Sequence, residues 1–217
     1  MIREVYDLKK ILFTEISLSK SLAIVGSSGN LLNHENGNKI DGFQNIVRFN
    51  RAEVDGYENF VGSKTTLRCV NYPVFICSES GKELWPNHDP FFVKKMTKGN
   101  ILFLAPSSYR NKKYENMKKK LDSSVNVFNV EYEEAEKKMK SEFNIKESKP
   151  FSVGMFFILL SVLSDITPNL FGFDITVEID RSHYWSKRPK PSGVHNFNSE
   201  VKLLQKLINE KKVIYHA

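Results

Sequence analysis

The stretch that decides the fold is residues 22–66, LAIVGSSGNLLNHENGNKIDGFQNIVRFNRAEVDGYENFVGSKTT. It begins with an apolar run, Leu22 to Val25, that predicts a buried strand. The run ends in Gly26-Ser27-Ser28-Gly29-Asn30, a turn of small residues whose backbone amides can approach a ligand closely. Amides and serine hydroxyls at the end of a strand suit a phosphate or a nucleotide. We therefore predict a ligand-binding turn directly after the first strand.

A second apolar segment, Phe43 to Phe49, predicts another strand, and it ends in Asn50 and Arg51. Polar groups at the ends of neighbouring strands form a ligand crevice in an open α/β sheet. Further apolar runs predict strands at residues 66–70, 101–105, 125–130 and 169–173. Helices are predicted at residues 5–20, 110–121, 131–143 and 155–163, and a last one begins at Ser199. In the third of these, Glu136 and Lys140 have the i,i+4 spacing of an exposed ion pair.

The opening stretch resembles the large sialylmotif of the eukaryotic-type sialyltransferases, glycosyltransferase family 29. Its matching blocks follow one another in the order of the family motif: Val25–Leu31, Ile40-Asp41, Ile46–Asn50 and Val61–Thr66. A glycine turn alone would be weak evidence, whereas all the blocks in order are specific. The resemblance implies a CMP-sugar donor site, for which the candidate residues are Gly26, Ser27, Ser28, Asn30 and Asn50. It also implies a Rossmann-like, mostly parallel α/β sheet flanked by helices, a variant of the GT-A arrangement.

Length and composition are those of a globular domain. The chain has 217 residues, of which 41% are hydrophobic and 26% are charged, and no linker or repeat divides it. We therefore predict a single domain over residues 1–217. The net charge of +7 fits an anionic partner such as a CMP-sugar, an acidic glycan or a membrane surface, and equally fits a solvated basic surface.

The N-terminal segment and the longest apolar run bear on location. Charged residues interrupt residues 1–20, which argues against a signal peptide. The longest apolar run, Val153 to Leu160, is far shorter than the ~20 residues that cross a bilayer. These features predict a cytoplasmic protein, with peripheral association with the inner face of a membrane left open.

Cysteine usage agrees with that location. Secretory members of the family join their large and small motifs by a disulfide. The aligned positions in this chain are Leu22 and Ser164, so that bridge cannot form. Cys69 and Cys77 lack the further ligands of a metal site and are predicted to be thiols. A missing bridge suits a reducing compartment.

Residues 149–174, KPFSVGMFFILLSVLSDITPNLFGFD, contain the most apolar segment of the chain. Small residues precede the predicted helix, and a helix N-terminus favours a phosphate. The stretch resembles the small sialylmotif, except for the inserted Phe151. The resemblance implies that Ser152, Val153 and Gly154 contact the CMP moiety, and that Gly172 and Phe173 border its cytosine or ribose.

Residues 182–200, SHYWSKRPKPSGVHNFNSE, contain two histidines. His183 resembles the histidine of the family's motif III, with Ser186 in place of the acid, and His195 with Glu200 resembles the very small motif. Attack of a hydroxyl on C2 of sialic acid needs a base that titrates near neutrality, which histidine supplies. We predict His195 as the general base and His183 as the group that assists the departing phosphate. Glu200 either orients His195 or caps the last helix, whose N-cap is predicted at Asn198 or Ser199.

The resemblance implies an inverting, metal-independent sialyltransferase that moves sialic acid from CMP-sialic acid to a hydroxyl of a glycan or glycolipid. No cofactor and no metal site are expected. A CMP-Kdo-dependent transferase of the same fold is the first alternative. A non-catalytic nucleotide- or anion-binding Rossmann-like protein is the second. A dinucleotide oxidoreductase would need the G-x-G-x-x-G spacing, which Gly26-x-x-Gly29 lacks. Nucleic-acid binding has little support, and the oligomeric state is open.

Overall fold

The main sheet of the protein is parallel throughout. The computed structural model describes residues 21–75, 99–105, 116, 119–121, 123–176, 182–189 and 195–217. The strands of the main sheet are β1 (Leu22–Val25), β2 (Asn45–Phe49), β3 (Leu67–Asn71), β4 (Gly99–Ala105), β5 (Val125–Glu131), β6 (Asn169–Phe171) and β9 (Ile214–His216). Their order is β5-β4-β3-β2-β1-β6-β9, and every neighbouring pair is parallel. β7 (Ser182–His183) and β8 (Ser186–Pro189) form a separate antiparallel pair.

The strand order places a topological switch point between β1 and β6. From β1 the chain adds β2 to β5 on one side, and β6 and β9 extend the sheet on the other. In such sheets ligands bind at the carboxyl ends of the strands that flank this point. The architecture confirms the predicted Rossmann-like, mostly parallel fold and directs attention to the residues after β1 and β6.

Helices cover the sheet on both faces. A 3₁₀ helix spans Gly29–Asn33, and the α-helices are α1 (Gly37–Asp41), α2 (Glu58–Val61), α3 (Tyr132–Glu142), α4 (Val153–Leu163) and α5 (Phe197–Asn209). The helix predicted at 5–20 lies outside the described residues, as does most of that predicted at 110–121. In the described part of the chain, no helix has the length and apolar character needed to cross a bilayer.

The continuous apolar runs of the strands follow from the burial of both faces of the main sheet. In β1, Leu22 and Ile24 face the core that contains α4 and α5, whereas Ala23 and Val25 face a second core with the 3₁₀ helix and α1. A parallel sheet that is covered on both sides requires apolar residues at successive positions rather than alternate ones. Helix α4 is accordingly apolar around most of its circumference.

A buried arginine joins separate blocks of the large motif. Arg48 in β2 has no exposed surface, and burial lowers its pKa. Its Nη2 donates to the carbonyl oxygen atoms of Val61 at 2.6 Å and Gly62 at 3.1 Å. The carboxylate of Asp41 accepts hydrogen bonds from the amides of Ser63 at 2.8 Å and Lys64 at 3.0 Å. These blocks therefore hold one another in place.

A histidine on the edge strand gives the fold a pH dependence. His216 in β9 stacks on Phe171, with ring centroids 4.4 Å apart, and its Nδ1 lies 2.9 Å from Nζ of Lys39. Because Lys39 can only donate, Nδ1 accepts and the imidazole is neutral. Burial and the Lys39 charge lower the pKa of His216.

We expect the stability of the fold to fall as the pH drops from 7.5 to 5.5, and to fall less in His216→Gln. The folded pKa lies below the unfolded value of about 6.5, so acid makes the unfolded state bind more protons. Urea unfolding at several pH values measures the slope. A wild-type slope unchanged by His216→Gln would contradict the assignment, and His34→Gln is the control for a general histidine effect.

Candidate functional site

The crevice at the switch point is formed by close contact between two backbones. The amide of Gly26, directly after β1, donates to the carbonyl of Phe171 at 2.7 Å, and the amide of Ser28 donates to that of Gly172 at 3.0 Å. A Cβ on Gly26 would lie 2.3 Å from the carbonyl oxygen of Gly172. Glycine at position 26 is therefore needed for the approach of the two strand ends.

Side chains of the predicted donor turn bind the segment after β6. The Ser28 hydroxyl donates to the carboxylate of Asp174, and Nδ2 of Asn30 donates to the carbonyl of Phe173 at 3.3 Å. Ser28 is only 1% exposed. Asp174 was not among the predicted site residues, although an acid at the carboxyl end of a strand beside the switch point was a usable signal.

Asn50 lies at the end of β2 and is occupied by the neighbouring strand. Its φ of 46° is in the left-handed region, which asparagine tolerates better than most residues. Its Oδ1 accepts from the amide of Asn71 at 3.0 Å, and its carbonyl accepts from Arg68 at 2.9 Å. The side-chain oxygen of Asn50 thus closes the end of the β2–β3 pair.

The aromatic ring of Phe173 lies between the two glycine-containing segments. A Cβ on Gly26 would be 3.1 Å from this ring, and one on Gly154 would be 3.0 Å from it. Phe49 packs edge-on against the same ring, with centroids 6.4 Å apart. At Gly172, whose φ is +69°, the space of a side chain is filled by Leu31. The resemblance implies that Gly172 borders the cytosine or ribose of CMP, whereas the residue against it in this structure is Leu31.

Ser152 and Glu200 join the N-termini of two helices. Ser152 caps α4 by accepting from the amide of Met155 at 3.2 Å. Its own amide and hydroxyl donate to Glu200 at 2.6 and 2.7 Å. Burial raises the pKa of Glu200, and the hydrogen bonds from Ser152 offset part of that effect. Glu200 lies in the first turn of α5, as predicted. Its carboxylate binds Ser152, and the charge of His195 also acts to lower its pKa.

His183 lies beside the donor turn. It forms an antiparallel bridge with Ser28, and the amide of the next residue, Tyr184, donates to the carbonyl of Ser27 at 3.1 Å. The Tyr184 hydroxyl donates to the carbonyl of Glu53, and burial raises the pKa of this tyrosine. The buried Tyr184 thereby anchors the segment that carries His183.

His195 lies at the start of α5 with a defined orientation. Its Nδ1 is 2.9 Å from the carbonyl oxygen of Pro150. Because a carbonyl can only accept, Nδ1 carries a proton, so that in the neutral ring Nε2 is the nitrogen with the free lone pair. The N-cap of α5 is Asn196, whose side chain accepts from the amide of Ser199 at 3.3 Å. The prediction of an N-cap at Asn198 or Ser199 was wrong, since both lie within the first turn.

The predicted residues of the four motifs thus form a series of contacts along the strand ends. The series runs from His183 to Ser28, through Gly26 and Phe173 to the start of α4, and ends at Glu200 and His195. Within the described part of the chain, no group of three or more potential metal ligands lies together. A small cavity of about 60 Å³ lies between the segment before α4 and the start of α5, and Glu147, Pro150, Asn196 and Glu200 are among its lining residues.

Comparisons with known proteins identify the family to which the chain belongs. The model of glycosyltransferase family 29 (sialyltransferase) matches residues 14–212. A CMP-N-acetylneuraminate-β-galactosamide-α-2,3-sialyltransferase of Gallus gallus is 28% identical over 88% of this chain and 56% of its own length. A β-1,6-galactosyltransferase of Arabidopsis thaliana is 25% identical over 89% of this chain and 52% of its own. The chain therefore spans about half the length of these relatives.

The fold has a counterpart among solved structures. A mammalian sialyltransferase in complex with Gal-β-1-3GalNAc-ortho-nitrophenol superposes with a TM-score of 0.63 at 21% identity. The superposition covers 98% of this chain and 79% of the other. At this level of identity the likeness concerns the fold.

Proposed function

The chain belongs to glycosyltransferase family 29, the sialyltransferase family, and from that membership we propose that it transfers sialic acid from CMP-sialic acid to a hydroxyl group of a glycan. The family match over residues 14–212 carries this proposal. The local contacts of the two histidines support it, because His183 bridges to Ser28 after β1 and His195 contacts Pro150 just before α4.

His195 acts as the general base in the proposed reaction. The acceptor hydroxyl attacks C2 of the sialic acid, a new C2–O bond forms, and the bond from C2 to the phosphate oxygen of CMP breaks. The hydroxyl proton goes to Nε2 of His195. The hydrogen bond from Nδ1 to Pro150 supports this role, because it leaves Nε2 able to accept a proton and stabilises the imidazolium that results. Attack opposite the leaving group inverts the configuration at C2.

CMP departs as a phosphate monoester, whose added charge has to be neutralised. We assign this to His183 and to the N-terminus of α4. The Ser152 hydroxyl accepts from the amide of Met155. The amides of Val153 and Gly154, the first two residues of α4, are not bound by this cap and lie at the positive end of the helix. His183 is anchored beside the Ser27-Ser28 turn by backbone contacts. The side chains of the buried Ser28 and the half-buried Asn30 hold this turn to the segment after β6.

The donor has a second candidate, because one of the relatives is a β-1,6-galactosyltransferase. The family framework is thus compatible with a donor other than CMP-sialic acid. CMP-Kdo remains the alternative predicted from the sequence. Each alternative differs from CMP-sialic acid in its nucleotide or its sugar, so direct binding and turnover measurements separate them.

We expect CMP to stabilise the protein selectively in a thermal-shift panel that also contains UMP, UDP, GDP, NAD and S-adenosylmethionine. A ligand at about 100 times its dissociation constant adds about 2.7 kcal/mol to the free energy of unfolding. Turnover assays then compare CMP-sialic acid, CMP-Kdo and UDP-galactose, each with and without EDTA. Stabilisation by a uridine nucleotide with UDP-galactose turnover would replace the proposed donor, and loss of activity in EDTA would refute metal independence.

A further inference from the structure

The short segment Lys149–Ser152, just before α4, is held by side chains instead of by a neighbouring strand. The amide of Phe151 donates to the buried carboxylate of Glu136 in α3 at 2.9 Å. The carbonyl of Lys149 accepts from Nζ of Lys140 at 2.8 Å. Lys140 also pairs with Glu136 at 2.8 Å. Together with the contacts of Pro150 and Ser152 described above, these bonds fix the whole segment.

The carboxylate of Glu147 contacts a residue next to each partner of the His195–Pro150 hydrogen bond. Oε1 of Glu147 accepts from the amide of Lys149 at 3.0 Å, immediately before Pro150. Oε2 of Glu147 accepts from the side chain of Asn196, immediately after His195. It also accepts from the hydroxyl of Ser199 at 3.2 Å, in the first turn of α5.

We propose that Glu147 is a positioning residue for the candidate base, because it joins the peptide that carries Pro150 to the helix start that carries His195. Glu147 binds Lys149, the residue before Pro150. It also binds Asn196, the residue after His195. With Glu147 in place, Nδ1 of His195 keeps its acceptor and Nε2 keeps its lone pair. Glu147 lies just outside the motif stretches identified in the sequence, and this inference rests on the proposed role of His195.

Protonation does not interrupt this arrangement near neutral pH. The hydrogen bond from the Lys149 amide, together with that from Asn196, lowers the pKa of Glu147. Its carboxylate therefore stays ionised near neutral pH, and it accepts hydrogen bonds with both oxygen atoms. If the carboxylate is removed, the Asn196 side chain and the Lys149 amide lose this acceptor and hydrogen-bond to water instead.

The test compares Glu147→Ala with Glu210→Ala. Glu210 is a matched control, because it is an exposed carboxylate at the far end of α5 that pairs with Lys212 and also has a lowered pKa. We expect Glu147→Ala to lower kcat by about 10- to 100-fold, as a small misplacement of a reacting group does. The affinity for CMP should change by less than about twofold, and Glu210→Ala should resemble the wild type.

A spectroscopic readout separates positioning from a general structural role. In protein with ¹⁵N-labelled histidine, the His195 signals are assigned by their absence in His195→Asn. We expect a protonated Nδ1 and an unprotonated Nε2 in the wild type and in Glu210→Ala, and a mixture of the two tautomers in Glu147→Ala. If Glu147→Ala does not fold, Glu147→Gln replaces it and should shift the same signals, since only one of its amide atoms can accept.

Wild-type kcat and wild-type His195 signals in folded Glu147→Ala or Glu147→Gln would overturn the inference. So would a lowered kcat with unchanged signals, because Glu147 would then act by another route. Full activity of His195→Asn is a different outcome. It would refute the proposed base, whereas the tautomer measurement would still report whether Glu147 orients the ring.

Discussion

His195→Asn should reduce glycosyl transfer by about 10²- to 10⁴-fold, the range that general base catalysis contributes. Asparagine can place a donor near the position of Nδ1 and so retain a hydrogen bond to Pro150. It has no atom at the position of Nε2, which is the atom that accepts the proton in the proposed reaction. The substitution therefore removes the base with little change to the surrounding contacts. Initial rates with saturating CMP-sialic acid and acceptor measure the effect.

Two controls accompany this measurement. The affinity for CMP, determined by calorimetry, should stay close to that of the wild type, because the proposed donor contacts involve other residues. His34→Asn should leave the rate unchanged, because His34 lies between the matching blocks of the large motif and in none of them. A His195→Asn protein that binds CMP and retains the wild-type rate would show that another group removes the proton.

Gly26→Ala should destabilise the fold by about 3 kcal/mol or more, at the upper end of the range for overpacking. The added Cβ would lie 2.3 Å from the carbonyl oxygen of Gly172. That atom belongs to the backbone at the end of β6, so it cannot move aside as a flexible side chain would. In a protein of this size, such a loss corresponds to a fall of about 6 to 12 °C in Tm.

Gly42→Ala is the matched control for this substitution. Gly42 has a helical φ of −73°, and a Cβ there would come no nearer than 3.3 Å to another atom. The change in the free energy of unfolding should therefore be small. Alanine also restricts the unfolded chain more than glycine does, which favours the folded state. Equal melting temperatures for Gly26→Ala and the wild type would show that the ends of β1 and β6 separate readily.

The strands were predictable because burial on both faces leaves a simple pattern. Each predicted strand is present, and the bounds differ by only a few residues, as for the segment predicted at 43–49 that begins at Asn45. The i,i+4 pair of Glu136 and Lys140 was predicted to be exposed, and this was wrong. Glu136 is only 5% exposed, because it accepts a hydrogen bond from Phe151, a long-range contact that helical periodicity does not reveal.

The site was predictable as a set of motifs but not in its internal contacts. The sequence indicated that Ser28, Asn30 and Asn50 lie at strand ends, and they do. It gave no sign that their side chains bind Asp174, Phe173 and Asn71, since these partners are distant in sequence. The direct donor contacts assigned to the motif residues remain predictions. Glu147 was missed because a single glutamate three residues before a proline forms no distinctive sequence pattern.

The position of the switch point also has a consequence for the order in which the molecule assembles. Ser28 and Asp174, which meet there, are 146 residues apart in the sequence. Pairing between such distant segments is slow, because a long loop must close before the contact forms. On a ribosome, β1 to β5 emerge well before β6 is available to join β1. We expect β1 to remain without one neighbour until late in synthesis, so that the proposed nucleotide site forms at a late stage of folding.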